Sequence, residues 1–359
     1  KRISSLRSYA AECALGLKGK PGFKFLEDET NFSRYIDYII VLHHLETVDA
    51  RSILPDYRAS YFYDTYCELG SNSYFISSRG TEGRRRFFTP QNARRIDNIM
   101  NQIRAWKQSG LINTQVYSTV LSGLVRAVEQ VSNTQGTFHD FIRTGWDSRA
   151  LGRLRLDPPP MDDVLTGVGG NKAGREEDSL QFIEKVDEHS VLYLDPPYNF
   201  RQYSAYYFLP NVICRFPEMA EPADYFRKVK YVRGQNPDDD FTSTFCKASS
   251  FISEMRTLIE KAKAQNVVIS YFNGANHWGK FDSDGDDVGR QHLVDLLSDS
   301  ELFTAGSLRT VEVPRRNYAS YGGYSARSVT EVLLVANKRR EKFDDVAKSA
   351  ARRGFRTVA

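Results

Sequence analysis

Four consecutive residues, Asp195, Pro196, Pro197 and Tyr198, set an acid, two prolines and an aromatic ring directly after the apolar run Val191–Leu194. A run of that length, stopped so abruptly, predicts a buried strand of a parallel sheet. The prolines cannot extend the ladder, so the chain must leave the sheet at Asp195. Ligands of open α/β sheets bind just beyond the carboxyl ends of strands, which puts a carboxylate and a ring where chemistry is expected. These groups suit the activation of an amine conjugated to an aromatic ring. Such an amine is a poor nucleophile because its lone pair is delocalised. It becomes reactive as it swings toward tetrahedral geometry, and acceptors aimed at its N–H groups favour that swing and stabilise the developing charge. Asp195 offers one acceptor. The carbonyl of Pro196 offers a second, since proline keeps its C=O while losing its N–H. The paired prolines stiffen the turn, and the Tyr198 ring can stack on a base extruded from a duplex. An ordinary proline turn after a strand is the alternative reading of the same four residues.

The tetrapeptide resembles the (Asp/Asn/Ser)-Pro-Pro-(Tyr/Phe) signature of the amino-methyltransferases, and its Asp form resembles the adenine-N6 branch. The likeness continues through Asn199-Phe200-Arg201-Gln202-Tyr203, which is similar to the DPPYNxRQY form of bacterial DNA adenine methyltransferases. Upstream, Phe87-Phe88-Thr89-Pro90-Gln91-Asn92 with Ile96-Asp97 is similar to that family's (Y/F)FTxxN…ID segment. Val268-Ile269-Ser270-Tyr271 and Tyr318-Ala319-Ser320-Tyr321 match more loosely. The resemblance implies an α/β protein with a Rossmann-like, S-adenosylmethionine-dependent methyltransferase sheet and a helical N-terminal part. It implies site-specific methyl transfer to the N6 amine of a flipped adenine in double-stranded DNA, in restriction-modification or phage defence, in a bacterial or phage setting in the nucleoid-containing cytoplasm. Catalytic roles are implied for Asp195, Pro196, Pro197 and Tyr198, with no metal. Cofactor contacts are implied for Asp178, Asp195 and Tyr203, and DNA contacts for Asn199, Arg201, Gln202, Arg316, Tyr318, Tyr321 and Arg327. Asp178 reads equally well as a helix N-cap. A catalytically silent DNA-recognition subunit is the alternative of a different class, and an RNA substrate is a third possibility.

The same family carries a Phe-x-Gly-x-Gly type turn that cradles the methionine end of its cofactor, preceded by a Gly-Ser-Lys segment. Neither is found. Gly16-Leu17-Lys18-Gly19 and Gly167-Val168-Gly169-Gly170 lack the apolar strand that should lead into such a turn. The sequence opens on Lys1 rather than methionine and reads as starting inside a longer protein. The expectation is a sheet completed by a second polypeptide that supplies the first strands and the glycine turn, or else a truncated chain. A bare apolar sheet edge is an aggregation hazard, which favours the partner.

Several elements must position the motif. Residues 1–150 read as a mainly helical region for DNA or partner contacts, residues 151–337 as the catalytic α/β region with an inserted loop at 217–245, and residues 338–359 as a basic, frayed tail. Helical spacing is visible over residues 3–17 and 32–45. Thr89-Pro90 predicts a capped helix start and Ser109-Gly110 its end, and Asn113 caps a second helix, giving a helical hairpin. Residues 63–86 read as irregular. Asp178-Ser179 opens a helix that feeds the strand at Val191. Residues 243–264 read as helix and 266–271 as the next strand. Residues 309–316 and 329–337 read as a terminal strand pair whose connecting loop interleaves tyrosines with arginines, a mixture suited to nucleic acid or to a structural tyrosine cluster.

Composition sets the outer bounds. A chain of 359 residues suffices for one large domain or two ordinary ones. No apolar run approaches the length of a membrane span, and no signal peptide is visible. Cys13, Cys67, Cys214 and Cys246 are scattered without metal-ligand spacing, which predicts reduced thiols in a cytosolic protein. A net charge of +4 permits a polyanionic partner without demanding one. The clusters Arg84-Arg85-Arg86, Arg94-Arg95, Arg315-Arg316 and Arg352-Arg353 read as phosphate contacts or as solvated basic faces. His139 lies in a polar-aromatic turn, and a bystander role is the simpler reading of a lone loop histidine.

Overall fold

The structure, a computed structural model, describes residues 2–58, 60–134, 136–162, 174, 177–273, 277–278, 288–316 and 328–339. Two compact units are present: residues 1–170 with 203–240, and residues 171–202 with 241–359. In chain order the first unit starts with helices α1 (Arg2–Leu17), α2 (Glu29–Thr47), α3 (Ala50–Ile53) and α4 (Tyr61–Tyr66), followed by strands β1 (Tyr74–Ile76) and β2 (Glu82–Arg84) and helices α5 (Pro90–Gln108) and α6 (Thr114–Gln130). The chain then enters the second unit as α7 (Ser179–Lys185) and β3 (His189–Leu194). It returns to the first as α8 (Tyr203–Tyr206), α9 (Phe208–Arg215) and α10 (Pro222–Arg227), and ends in the second as α11 (Ala248–Lys261), β4 (Ala264–Asn273), α12 (Val288–Leu297), β5 (Arg309–Arg316) and β6 (Ser328–Asn337). No helix among the described residues is long and apolar enough to cross a membrane.

Local chemistry explains the helical hairpin of the first unit. The Thr89 hydroxyl accepts from the Asn92 N–H at 3.3 Å, with Pro90 in the first helical position of α5. Asn113 accepts from the Val116 N–H at 2.9 Å and starts α6. Between them Gly110 adopts a φ of 72°, which a side-chain-bearing residue resists. Ile96, Ile99, Met100 and Ile103 on α5 and Val120, Leu124 and Val128 on α6 are buried in one core, joined by Phe208, Leu209, Val212 and Ile213 of α9. Each such side chain contributes roughly 1.5–3 kcal/mol on leaving water.

Two expectations for this unit are corrected. Residues 63–86 are not irregular throughout, because β1 and β2 pair antiparallel there with Tyr74 opposite Arg84. Strands of three residues leave too few alternations to be legible. Within 217–245, the part up to residue 240 is knitted into the first unit rather than standing off as a loop or lid. Phe226 and Val229 lie in its core, and Gln235 and Asn236 are buried. The buried guanidinium of Arg85 donates to the carbonyls of Asn72 at 2.7 Å, Tyr231 at 2.9 Å and Val232 at 3.1 Å. Gln235 donates to the Ser204 carbonyl and Asn236 to the Tyr225 carbonyl, each at 3.0 Å, while Lys228–Asp238 and Arg233–Asp240 form ion pairs. The polar residues of the segment are thus used internally, and Arg85 is an interior clamp rather than a phosphate ligand.

The second unit is a mixed sheet in the order β3-β4-β6-β5. Strands β3 and β4 run parallel with Tyr193 beside Val268. The β4–β6 and β6–β5 pairs are antiparallel, with Val268 opposite Val335 and Val335 opposite Arg309. One face carries Leu192, Val267, Ile269, Tyr271, Val332, Leu334 and Ala336, all buried with Phe251, Met255 and Ile259 of α11 and Leu293 and Leu297 of α12. The opposite face is different. Val191 is 52% and Tyr193 57% exposed, and Val311 and Val313 on β5 are exposed too. The strand expected to be buried is therefore open on one face, and among the described residues β3 pairs along one edge only.

The basic tail is also corrected at its start. Lys338 is buried, and its ammonium donates to the carbonyls of Ile259 and Ala262, each at 2.7 Å, and of Glu260 at 3.3 Å. The C-terminal carbonyls of α11 lack helical partners and need donors. Arg339 follows, with its N–H on the Leu302 carbonyl at 2.8 Å. Residues 340–359 lie outside the described residues.

Candidate active site

The motif emerges where the sheet directs it. β3 stops at Leu194, leaving Asp195 exposed, Pro196 buried and Pro197, Tyr198 and Asn199 half-buried. Because β3 and β4 are parallel, their carboxyl ends share one edge of the sheet, and the motif lies beside Tyr271 and Phe272. The Tyr198 ring lies 5.3 Å from Phe272, tilted by 34°, and meets Tyr271 edge-on at 6.4 Å. Tyr271 belongs to a wider aromatic group in which Phe251 stands 4.6 Å from His277 and Trp278 stands 4.9 Å from His292. Burial lowers the pKa of His277 and favours its neutral imidazole. Gly289 of α12 permits this packing, since a Cβ there would sit 2.4 Å from the Tyr271 hydroxyl oxygen and 3.0 Å from the Trp278 ring. Tyr271 was visible in the sequence as a loose match. The contributions of His277, Trp278 and Gly289 carry no local signal.

The other predicted residues fall in distinct places. Asp178 caps α7 by accepting from the Leu180 N–H at 2.9 Å, and its carboxylate is exposed. Asn199 accepts from the Arg201 N–H at 3.0 Å. The Gln202 carboxamide oxygen accepts from the Ser243 N–H at 2.8 Å, and its nitrogen donates to the Phe200 carbonyl at 3.3 Å. Tyr203 begins α8 in the first unit, exposed and edge-on to Tyr207 at 5.7 Å, whereas Asp178 and residues 195–202 belong to the second. Arg316 ends β5. Tyr318, Tyr321 and Arg327 lie outside the described residues. His139 stacks on Tyr206 at 4.9 Å within the first unit.

The polar residues of the upstream segment hold the first unit together. Asn92 accepts from the Leu154 N–H at 3.0 Å and donates to the Gly152 carbonyl at 2.8 Å. The fully buried carboxyl of Asp97 accepts from the N–H groups of Phe62 at 3.0 Å and Tyr63 at 2.9 Å, at the start of α4. Burial pushes its pKa up to about 8, opposed by those two backbone donors. Asn101 accepts from the Arg58 N–H at 2.9 Å. Asn133, another buried side chain, accepts from the Asp147 N–H at 2.8 Å and donates to the Arg86 carbonyl at 3.0 Å. A concavity lined by Glu68, Phe75, Arg84, Arg86, Phe141 and Arg143 also belongs to this unit. Arg86 there is paired with Glu68 at 2.7 Å, and Arg84 donates to the Gly70 carbonyl at 3.0 Å. It contains no group resembling the motif at the end of β3.

A mixed α/β unit with a carboxylate-proline-proline-tyrosine turn at a strand's carboxyl end defines the class, and comparison with known proteins places the chain within it. The family described as D12 class N6 adenine-specific DNA methyltransferase matches residues 43–243, more than half of the chain, and the chain belongs to that family. It is similar to the Type II methyltransferase M.FokI of Planomicrobium okeanokoites, with 35% identity over 52% of this chain and 27% of the relative. It is also similar to the Type II methyltransferase M.NlaIII of Neisseria lactamica, with 30% identity over 60% of this chain and 57% of the relative. The modification methylase StsI of Streptococcus sanguinis is 26% identical over 74% of this chain and 37% of its own length. The chain thus spans between about a quarter and just over half the length of these relatives. No solved structure matches it.

Proposed function

We propose that the chain carries the catalytic motif of a site-specific DNA adenine-N6 methyltransferase of restriction-modification type, built on a Rossmann-like sheet. The observation that carries this reading is the exposed Asp195 at the carboxyl end of β3, followed by a rigid proline turn and a tyrosine set against Phe272. In this mechanism the Asp195 carboxylate and the Pro196 carbonyl accept from the N–H groups of the target amine and favour its pyramidal form. Tyr198 offers a ring on which the extruded adenine stacks. Pro197 keeps the acceptors from swinging away, so their orientation is set before the substrate arrives. S-adenosylmethionine supplies the electrophilic methyl group when bound. The exposed carboxylates of Asp178 and Asp195, both in the second unit, fit its adenine and methionine amines. Asn199, Arg201 and Arg316 contact DNA.

Among the described residues no strand leads into a glycine-rich turn, so their fit to the cofactor is partial. In this reading the missing strands and turn come from a second polypeptide or from another part of a longer chain. The edge of β3 left unpaired among the described residues and the exposed Val191 and Tyr193 support it, since such an edge invites another strand.

The test is transfer of labelled methyl from S-adenosylmethionine to duplex DNA, with and without any polypeptide that co-purifies. Asp195→Ala should abolish transfer and leave DNA binding in place, and full activity of that variant rejects the assignment. DNA binding without transfer in the wild-type complex would instead favour a silent recognition subunit. Native mass of the active species reads out the partner.

A further inference from the structure

The loop after the motif, residues 199–202, was expected to meet DNA with Asn199, Arg201 and Gln202. For Gln202 the hydrogen bonds describe another task. The Gln202 oxygen holds the Ser243 N–H at 2.8 Å, and the buried Cys246 thiol donates to the Arg201 carbonyl at 3.2 Å. Burial raises the Cys246 pKa, so the sulfur keeps the proton it donates. The segment receiving the loop is firmly seated. Ser243 caps the short turn Thr244–Cys246 through the Phe245 N–H at 3.3 Å, and the Ser250 hydroxyl donates to the Thr244 carbonyl at 2.7 Å. Phe245 is buried in the same core as Phe251 of α11. On the loop side, Asn199 closes a small turn on the Arg201 N–H at 3.0 Å. The chain leaving Tyr198 is therefore tied at two successive residues to a turn anchored in the core of its own unit.

We infer that Gln202 is a positioning residue whose carboxamide oxygen, by holding the Ser243 amide, keeps the 199–202 loop and with it the Tyr198 turn in the arrangement that receives the flipped base. At Ser243 the role needs an acceptor and not an amide; the weaker bond that the amide nitrogen donates to the Phe200 carbonyl at 3.3 Å is the one a carboxylate gives up. Glutamate keeps that acceptor and strengthens it as a charge-assisted bond. A DNA-reading glutamine would behave oppositely, because a carboxylate facing phosphates and base acceptors repels them. The kinetic part of this inference rests on the methyl-transfer reading, and the structural part does not.

The experiment compares wild type, Gln202→Met and Gln202→Glu in the complete transfer-competent complex, measuring kcat, DNA affinity and hydrogen exchange of the Ser243 amide. Gln202→Met is expected to lose protection at that amide and to lower kcat by about 10–100-fold at unchanged DNA affinity, the scale of a small misplacement of reacting groups. Gln202→Glu should restore both. If both variants weaken DNA binding while the Ser243 amide stays protected, Gln202 is a DNA reader and the inference is overturned. If Gln202→Met does not fold, Gln202→Glu decides by itself, since retained kcat and DNA affinity support the acceptor role and lost affinity refutes it. Absence of transfer in the wild-type complex would sink the proposed reaction, and exchange together with DNA affinity would still decide whether Gln202 is an anchor.

Discussion

Asp97 offers a quantitative test of whether the segment Phe87–Asp97 is scaffold. The carboxyl is fully buried and accepts from the N–H groups of Phe62 and Tyr63 at 3.0 and 2.9 Å, two of the orphan donors in the first turn of α4. Asp97→Leu leaves both without an acceptor. At roughly 1–3 kcal/mol for each of the two unsatisfied groups, the cost is about 2–6 kcal/mol. Asp97→Asn keeps one acceptor oxygen but turns an NH₂ toward the other donor, and costs about 1–3 kcal/mol near pH 5. The two variants separate further with pH. Burial raises the folded-state pKa to about 8, against about 3.9 in an unfolded chain, so between these values the folded state binds more protons. The stabilisation contributed by titrating Asp97 is therefore complete below about pH 4 and declines as pH rises through 8. Asparagine does not titrate, so it should gain on the wild type across that window, by at most about 1.4 kcal/mol per pH unit. Urea unfolding at pH 5, 6.5 and 8 reads out all three proteins. An Asp97→Leu variant as stable as wild type, or a wild-type advantage over asparagine that grows with pH, would refute the buried-cap account.

Lys338→Met removes the donor to three carbonyls at the end of α11 and should cost about 1–3 kcal/mol at pH 7.5, measured by urea unfolding. Burial lowers the Lys338 pKa to about 8, so between pH 8 and its unfolded value of about 10.4 the unfolded chain binds more protons and stability rises with pH. The methionine variant should lack that rise, and an identical slope in both proteins would count against it. Gly289→Ala forces a methyl group against the Tyr271 hydroxyl and the Trp278 ring, and should cost about 1–3 kcal/mol with a changed tryptophan emission. An unchanged spectrum and stability would mean that the aromatic group does not need this close approach. Tyr193→Lys places a charge on the exposed face of β3 and should reduce self-association of the isolated chain in light scattering, and, under the proposed split arrangement, impair assembly with a completing partner. Unaltered assembly would remove that face from the interface.

Several features were legible because their causes are local. The Thr89 and Asn113 caps, the stop at Gly110 and the apolar stripes of α5 and α6 follow from backbone needs within a few residues. The end of β3 at Asp195 was legible too, because two prolines terminate a ladder wherever they occur. Tertiary structure decided which residues these elements meet. A helical period cannot say that Asn92, Asp97 and Asn101 reach the backbone of other segments, nor that Arg85, in a run of three arginines, faces inward to carbonyls nearly 150 positions away. The apolar run Val191–Leu194 announced a strand but not which of its faces would be covered, because a side chain's burial is set by neighbours that approach from elsewhere in the chain or from outside it. Gln202 reads identically in sequence whether it meets a base or a backbone amide. Only the fold brings Ser243 within 2.8 Å of it, and a hydrogen bond depends on that proximity rather than on residue type alone.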